Sequence, residues 1–113
     1  ALGLAQQLQR PVALVCTSGS ALLNYYPAIA EAYYSDVPLV ILSADRPAHL
    51  LEIGDGQTIK QKNVFANHIL FNGACKEGDT HQSYNEDQIH TALSVAINQS
   101  GPVHINLPFS EPL

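Results

Sequence analysis

Two polar clusters each follow an apolar run in this chain. Thr17-Ser18-Gly19-Ser20 comes directly after Pro11-Val12-Ala13-Leu14-Val15-Cys16. Ser43, Asp45 and Arg46 close the run from Val37 to Leu42, which only Pro38 interrupts, and Pro47 stiffens the backbone just beyond. In open parallel sheets ligands gather outside the carboxyl ends of strands, so both clusters stand where a ligand would be held. The first lies between a strand end and a helix start, where free amides and the helix dipole favour anions or polar ligand edges. The loop from Ala48 to Gln57, with Gly54-Asp55-Gly56, looks shaped for a site. Plain structural roles serve these residues as well. Thr17 or Ser18 is the natural N-cap of the next helix, and Asp45 with Arg46 suffices to tie down a surface turn.

Other chemistries are excluded by spacing. The Gly-x-x-x-x-Gly-Lys phosphate loop and the Gly-x-Ser-x-Gly elbow are both missing, so Ser18 is a poor nucleophile. His49, His68, His81, His90 and His104 lack metal-ligand spacing and have no nearby cysteine. No catalytic residue and no metal ligand is assigned.

The elements that must position these clusters alternate between strand and helix. Leu2, Ala5 and Leu8 have helical spacing before Arg10-Pro11, and a buried strand runs from Pro11 to Cys16. A helix from about Ala21 to Tyr34 carries Leu22, Tyr25, Ile29, Ala32 and Tyr33 on one stripe, with an irregular first turn or kink at Pro27. The Leu39 run shows no period-2 alternation and reads as a central parallel strand covered on both faces. Ile59 to Asn67 is expected as a short helix carrying Gln61, Val64 and Phe65, and His68 to Ala74 as a third strand. Asn85-Glu86-Asp87-Gln88 resembles a capping box for a helix that buries Ile89, Ala92, Leu93, Ala96 and Ile97. Val103 to Leu107 is the last strand. The expected class is α/β, an open and mainly parallel sheet with helices on both faces.

The bulk properties fit one small domain: 113 residues, 46% hydrophobic and 13% charged. The low charge suggests that something else covers much of the surface. An opening that reads like mid-helix, with no Met anywhere, suggests a piece of a longer polypeptide. A net charge of −5 with five scattered Lys and Arg argues against nucleic acid as a partner. Cys16 and Cys75, unspaced and without a secretory signal, read as reduced cytosolic thiols. No apolar run approaches the ~20 residues of a membrane span.

The succession Cys16-Thr17-Ser18-Gly19-Ser20-Ala21, Asn24-Tyr25-Tyr26-Pro27-Ala28, Ser43-Ala44-Asp45-Arg46-Pro47 and Gly54-x-x-Gln57-x-Ile59-x-Gln61 continues through Phe65-Ala66. It ends in Gly101-Pro102-Val103-His104-Ile105-Asn106-x-Pro108-Phe109-x-Glu111-Pro112-Leu113. It resembles the 2-succinyl-5-enolpyruvyl-6-hydroxy-3-cyclohexene-1-carboxylate synthases of menaquinone biosynthesis over nearly the whole chain. The Ala-Asp-Arg-Pro and His-Ile-Asn-x-Pro-Phe-x-Glu-Pro-Leu stretches are the specific parts. Across thiamine-diphosphate enzymes the Thr-Ser-Gly turn and the Gly-Pro-Val strand are shared more loosely.

The resemblance implies a transferase that decarboxylates 2-oxoglutarate on thiamine diphosphate with Mg2+ and adds the succinyl unit to isochorismate. It implies a cytoplasmic enzyme with sites between two subunits, in homodimers or homotetramers. This chain would be a partial N-terminal pyrimidine-binding domain, residues 1–113. Arg46 and Gln57 then match substrate-binding positions, and Thr17, Ser18 and Gly19 match the turn beside the pyrimidine end of the cofactor. Both substrates are dicarboxylates, and guanidinium binds carboxylate through two parallel charge-assisted hydrogen bonds. Lys60 stands where many relatives carry Arg. The glutamate that activates the cofactor precedes the Ala1 helix in this family; Glu31, Glu52, Glu77, Glu86 and Glu111 are not placed for it, so the chain alone should be inactive. Thiamine-diphosphate enzymes also hold magnesium through Gly-Asp-Gly and an Asn a few dozen residues later, a distance near which Asn85 falls. Here Gly54-Asp55-Gly56 follows only the short run Leu50-Leu51-Glu52-Ile53, and is read as a turn. Clustering of Tyr25, Tyr26, Tyr33 and Tyr34 suggests an intersubunit surface. An acetolactate synthase domain and a non-catalytic α/β ligand-binding domain are the alternative readings.

Overall fold

Four apolar segments pair in parallel, and this places all their carboxyl ends along one edge. In the computed structural model, which describes residues 1–110, the strands are β1 (Val12–Cys16), β2 (Leu39–Asp45), β3 (Phe71–Ala74) and β4 (Val103–Pro108), in the spatial order β1-β2-β4-β3. Ile41 of β2 registers with Leu14 on one side and His104 on the other. The expected α/β class with its parallel sheet is what the structure has. Of the family-like residues at the end of the chain, Glu111, Pro112 and Leu113 lie outside the described residues.

The chain crosses one face of the sheet and returns over the other. Helix α1 (Leu2–Leu8), a 3-10 helix from Gly19 to Tyr25, α2 (Tyr26–Tyr34) and the loop bearing Phe65 pack on the first face. Their core is Leu22, Ile29, Ala32, Leu39, Ile41 and Phe65, all fully buried. On the second face α3 (Gln82–Gln99) sets Ala92 and Ala96 against Val40, Val103 and Ile105. Those alanines let the helix approach closely.

Pro27 resolves as the irregularity it implied. The 3-10 segment stops at Tyr25, and Pro27 falls in the first turn of α2, where its missing N–H has no intrahelical partner to lose.

Five expectations are corrected. First, β1 is an edge strand with alternating burial, and Val15 is 70% exposed. Its apolar run comes from a sheet face left uncovered, not from burial on both sides. Second, Ile59 to Gln61 forms no helix, Lys62 to Phe65 is a turn with Asn63 at φ 59°, and one 3-10 turn spans Ala66–His68. Gln61 and Phe65, two of the residues expected on that helix, are buried. Third, β3 begins only at Phe71, because His68 turns to the Tyr26 hydroxyl instead of joining the ladder. Fourth, α3 begins at Gln82, so Asn85 lies inside it and caps nothing there; its amide clamps the backbone of Lys76. Fifth, Ile89, Leu93 and Ile97 are 38–58% exposed, and the first two line a groove with Ala13 and Leu42.

Phe65 fastens the whole 46–70 crossing to the sheet, its ring edge-on to Tyr26 and to His104. Phe65→Ala should therefore cost about 3–5 kcal/mol of stability. Urea unfolding measures this; a loss below ~1 kcal/mol would mean that the crossing is anchored elsewhere.

Candidate functional site

Strand alternation puts Leu39, Ile41, Ser43 and Asp45 on the same face of β2, so this face turns from apolar to polar toward its carboxyl end. The register adds Asn106 opposite Ser43, and Asn72 opposite His104. These polar side chains, with Gln61 from the crossing loop, bond one another. The Ser43 hydroxyl lies 2.7 Å from His104 Nε2 and 2.9 Å from Asn106 Oδ1. Gln61 Nε2 donates to Asn106 Oδ1 at 2.8 Å and to the Ala44 carbonyl at 3.0 Å. Asn106 Nδ2 donates to Asp45 Oδ2 at 2.6 Å, and the other Asp45 oxygen accepts from the Arg46 N–H at 2.8 Å. Ser43, Gln61 and His104 are buried, and such groups are tolerated because they satisfy one another.

His104 is held neutral. Burial lowers its pKa from 6.5 to about 4. Its Nδ1 lies 3.2 Å from Asn72 Oδ1, and its Nε2 lies 2.7 Å from the Ser43 hydroxyl, whose single proton is directed to Asn106 Oδ1. The Cys16 and Cys75 thiols are raised by burial, which disfavours thiolate.

All five sequence-selected site residues meet at this sheet edge. Arg46 Nη1 donates to Ser18 Oγ at 3.1 Å, and Gln57 Nε2 donates to the Ser18 carbonyl at 2.7 Å. Arg46 also reaches Asp55 through Nε at 2.9 Å and the Gly56 carbonyl through Nη2 at 2.8 Å. Three of its five N–H groups are thus engaged among the described residues, and two are not. Thr17 is exposed at the mouth of a 450 Å³ cleft shared with Ser18 and Arg46. Gln57 lines a larger, 660 Å³ cleft in which Glu52, Gln57 and Asn63 all have positive φ. Lys60 is exposed and stands 3.7 Å from Glu52.

The turn after β1 differs from its expected form in two ways. Ser18 occupies the N-cap position but makes no side-chain capping bond; its hydroxyl accepts from Arg46. The first amides of the 3-10 helix are also taken. Gly19 N–H donates to Gln61 Oε1 at 2.6 Å and Ser20 N–H to the Gln57 carbonyl at 2.9 Å. An anion cannot use these amides as they stand. Gly19 has φ 88°, and a Cβ there would lie 2.4 Å from the Gln57 oxygen, so the loop closes down on a glycine.

Sequence reasoning passed over Gln61, His104 and Asn106 as members of one unit. The available signal was polar residues inside otherwise apolar strand patterns. Gly54-Asp55-Gly56 is an exposed turn whose Asp55 pairs with Arg46. Among the described residues no three His, Cys, Asp or Glu side chains come together as a metal site.

The neutral His104 makes stability depend on pH. The unfolded chain binds the imidazole proton more readily than the folded one does. The stabilisation is therefore complete above pH 6.5 and lost as pH falls through about 4, on the order of 3 kcal/mol. Chemical denaturation of wild type and His104→Gln at pH 7, 5.5 and 4 should show the variant weaker at pH 7 but less acid-sensitive. Parallel pH curves would exclude His104 as the cause.

A family model described as thiamine pyrophosphate enzyme, N-terminal TPP binding domain, matches residues 1–69. Over its whole length the chain is 60% identical to the 2-succinyl-5-enolpyruvyl-6-hydroxy-3-cyclohexene-1-carboxylate synthase of Christiangramia forsetii and covers 22% of that protein. Against the enzymes of the same name from Flavobacterium psychrophilum and Desulfotalea psychrophila it is 62% and 50% identical over its whole length, covering 20% and 22% of each. The chain thus spans about a fifth of the length of the curated relatives it matches. The matched stretch includes β1, the Thr17–Gly19 turn, β2 and the loop through Gln61. By its parallel sheet, its strand-end turn and this match, the chain belongs to the thiamine pyrophosphate enzymes, in their N-terminal TPP-binding domain.

Proposed function

We propose that residues 1–113 are part of the pyrimidine-binding domain of a longer 2-succinyl-5-enolpyruvyl-6-hydroxy-3-cyclohexene-1-carboxylate synthase. The whole enzyme would decarboxylate 2-oxoglutarate and add the succinyl unit to isochorismate in menaquinone biosynthesis. What carries this reading is the 50–62% identity, along the entire chain, to enzymes of that name. The site chemistry agrees with a dicarboxylate ligand, since Arg46 stands at a strand end beside the turn with two N–H groups to offer.

The residues fit only one end of thiamine diphosphate. Thr17 to Gly19 form a braced, cleft-side turn that can accept a flat polar ring edge. The donor set for a metal-bound diphosphate does not fit here. Asp55 is held by Arg46, Asn85 by Lys76, and the Gly19 and Ser20 amides by Gln61 and Gln57. We place the diphosphate and Mg2+ on other parts of the longer chain. The bound cofactor supplies a nucleophilic carbon and an electron sink for decarboxylation. This chain's share is binding and orientation. Arg46 neutralises a substrate carboxylate, and Gln57 presents its side chain to the same edge. The activating glutamate is expected outside these residues; among the described residues no glutamate lies on a strand.

The assembly is proposed as a homodimer or homotetramer in the cytoplasm. Among the described residues no helix is long and apolar enough to cross a membrane. Tyr25 and Tyr26 bond the Val15 carbonyl and His68 within the chain, which leaves Tyr34, 74% exposed, and Leu23, 41% exposed, to offer apolar area to a second subunit.

Two experiments test this reading. In the full-length enzyme Arg46→Ala should remove a charge-assisted contact worth ~1.5–3 kcal/mol, lowering kcat/KM roughly ten- to a hundredfold. Arg46→Lys should restore only part, because an ammonium cannot fork onto a carboxylate. Steady-state kinetics with both substrates varied decides, and wild-type values for Arg46→Ala would remove Arg46 from the site. For the 113-residue chain alone, calorimetry at millimolar thiamine diphosphate should show no saturable heat, with or without magnesium. A few turn hydrogen bonds at ~0.5–1.5 kcal/mol each do not offset an association cost of at least ~4 kcal/mol. Clear saturation would place the diphosphate site within this chain.

A further inference from the structure

Gln61 is 3% exposed, yet it makes a polar contact with each piece of the site. Its Oε1 accepts from the Gly19 N–H, and its Nε2 donates to the Ala44 carbonyl and to Asn106 Oδ1. Asn106 in turn donates to Asp45, whose other oxygen accepts from the Arg46 backbone. The loop that carries Gln57 is tied in through the Ser20 to Gln57 bond, four residues before Gln61. We propose that Gln61 is a positioning residue for the reaction. It sets the cofactor-side turn at Thr17–Gly19 and the carboxylate-side strand end at Asp45–Arg46 at one fixed spacing.

The chemistry of the side chain supports a positional role beyond filling space. Gly19 offers a donor, whereas Asn106 Oδ1 and the Ala44 carbonyl are acceptors. Only a group with an acceptor on one arm and two N–H donors on the other satisfies all three. Reversed, the amide would set N–H against N–H and oxygen against two oxygens. A carboxylate keeps the bond from Gly19 but faces two acceptors in a buried place, a conflict that protonation relieves. Ser18 does not cap the 3-10 helix, so Gln61 caps it from 42 positions along the chain.

This inference rests on the site reading above, and the experiment separates the two. Gln61→Met and Gln61→Glu are made in the full-length enzyme beside Gly19→Ala and Arg46→Ala as reference variants. Apparent KM for thiamine diphosphate and for 2-oxoglutarate, kcat, thermal midpoint and the pH profile from 6 to 8 are measured for each. Gln61→Met should raise both KM values at least tenfold while kcat at saturation falls less than threefold. Gln61→Glu should match it at pH 8 and recover toward wild type at pH 6, an ionisation that wild type lacks. A residue that only supports the fold would lower the thermal midpoint and leave both KM values and the pH profile unchanged, and that result overturns the proposal. If Gln61→Met does not fold, the Gln61→Glu profile decides. Failure of both to fold also overturns it, since Gln61 would then hold the domain and not the site. If the reference variants shift KM and the Gln61 variants do not, only this inference falls; if none shifts, the site reading falls with it.

Discussion

Asn106 bridges Asp45 and Gln61 at the carboxyl ends of the two central strands, and the rest of the site depends on that bridge. It exists because β2 and β4 pair in parallel with Ser43 opposite Asn106. Shifting this register by one residue would turn Asn106 to the other face of the sheet, away from Asp45 and Gln61. The register is in turn set by apolar residues further along. Leu39 and Ile41 face α2 and Phe65, while Val103 and Ile105 face α3. A hydrophobic pattern, non-directional in itself, thereby fixes the geometry of directional bonds.

Burying so many polar groups is tolerable only if they are matched. Ser43, Gln61, His104 and Asn106 have complementary donors and acceptors, and His104 contributes as a neutral ring because burial disfavours its charge. The cluster is rigid for the same reason that it is costly to break. A lost partner leaves a buried group without water or protein to bond.

Arg46 occupies the boundary between this network and the clefts. Its backbone belongs to the buried side through Asp45, and its guanidinium belongs to the open side through Ser18, Asp55 and Gly56. The ion pair with Asp55 is partly in water, where such pairs contribute little.

Much of this was legible from residue order. Unbroken apolar runs marked β1 and β2, and the abrupt change at Ser43 and at Thr17 marked the edge where the candidate site residues meet. Pro27 announced the break between the 3-10 and α segments. These features follow from local chemistry: side-chain polarity, proline geometry and strand spacing. The helix expected over Ile59 to Asn67, the capping role given to Asn85 and the free amides expected after β1 were different. Each depended on a partner outside its own segment: Gln61 reaching Gly19 from 42 positions away, and Asn85 closing on Lys76, nine positions back. Local propensity ranks the conformations a segment can adopt by a few tenths of a kcal/mol per residue. A buried hydrogen bond that would otherwise go unmade outweighs that ranking. The sequence alone therefore determined the parallel α/β class and where β1 and β2 end, and only the tertiary structure decided which apolar faces are covered and which polar groups face one another there.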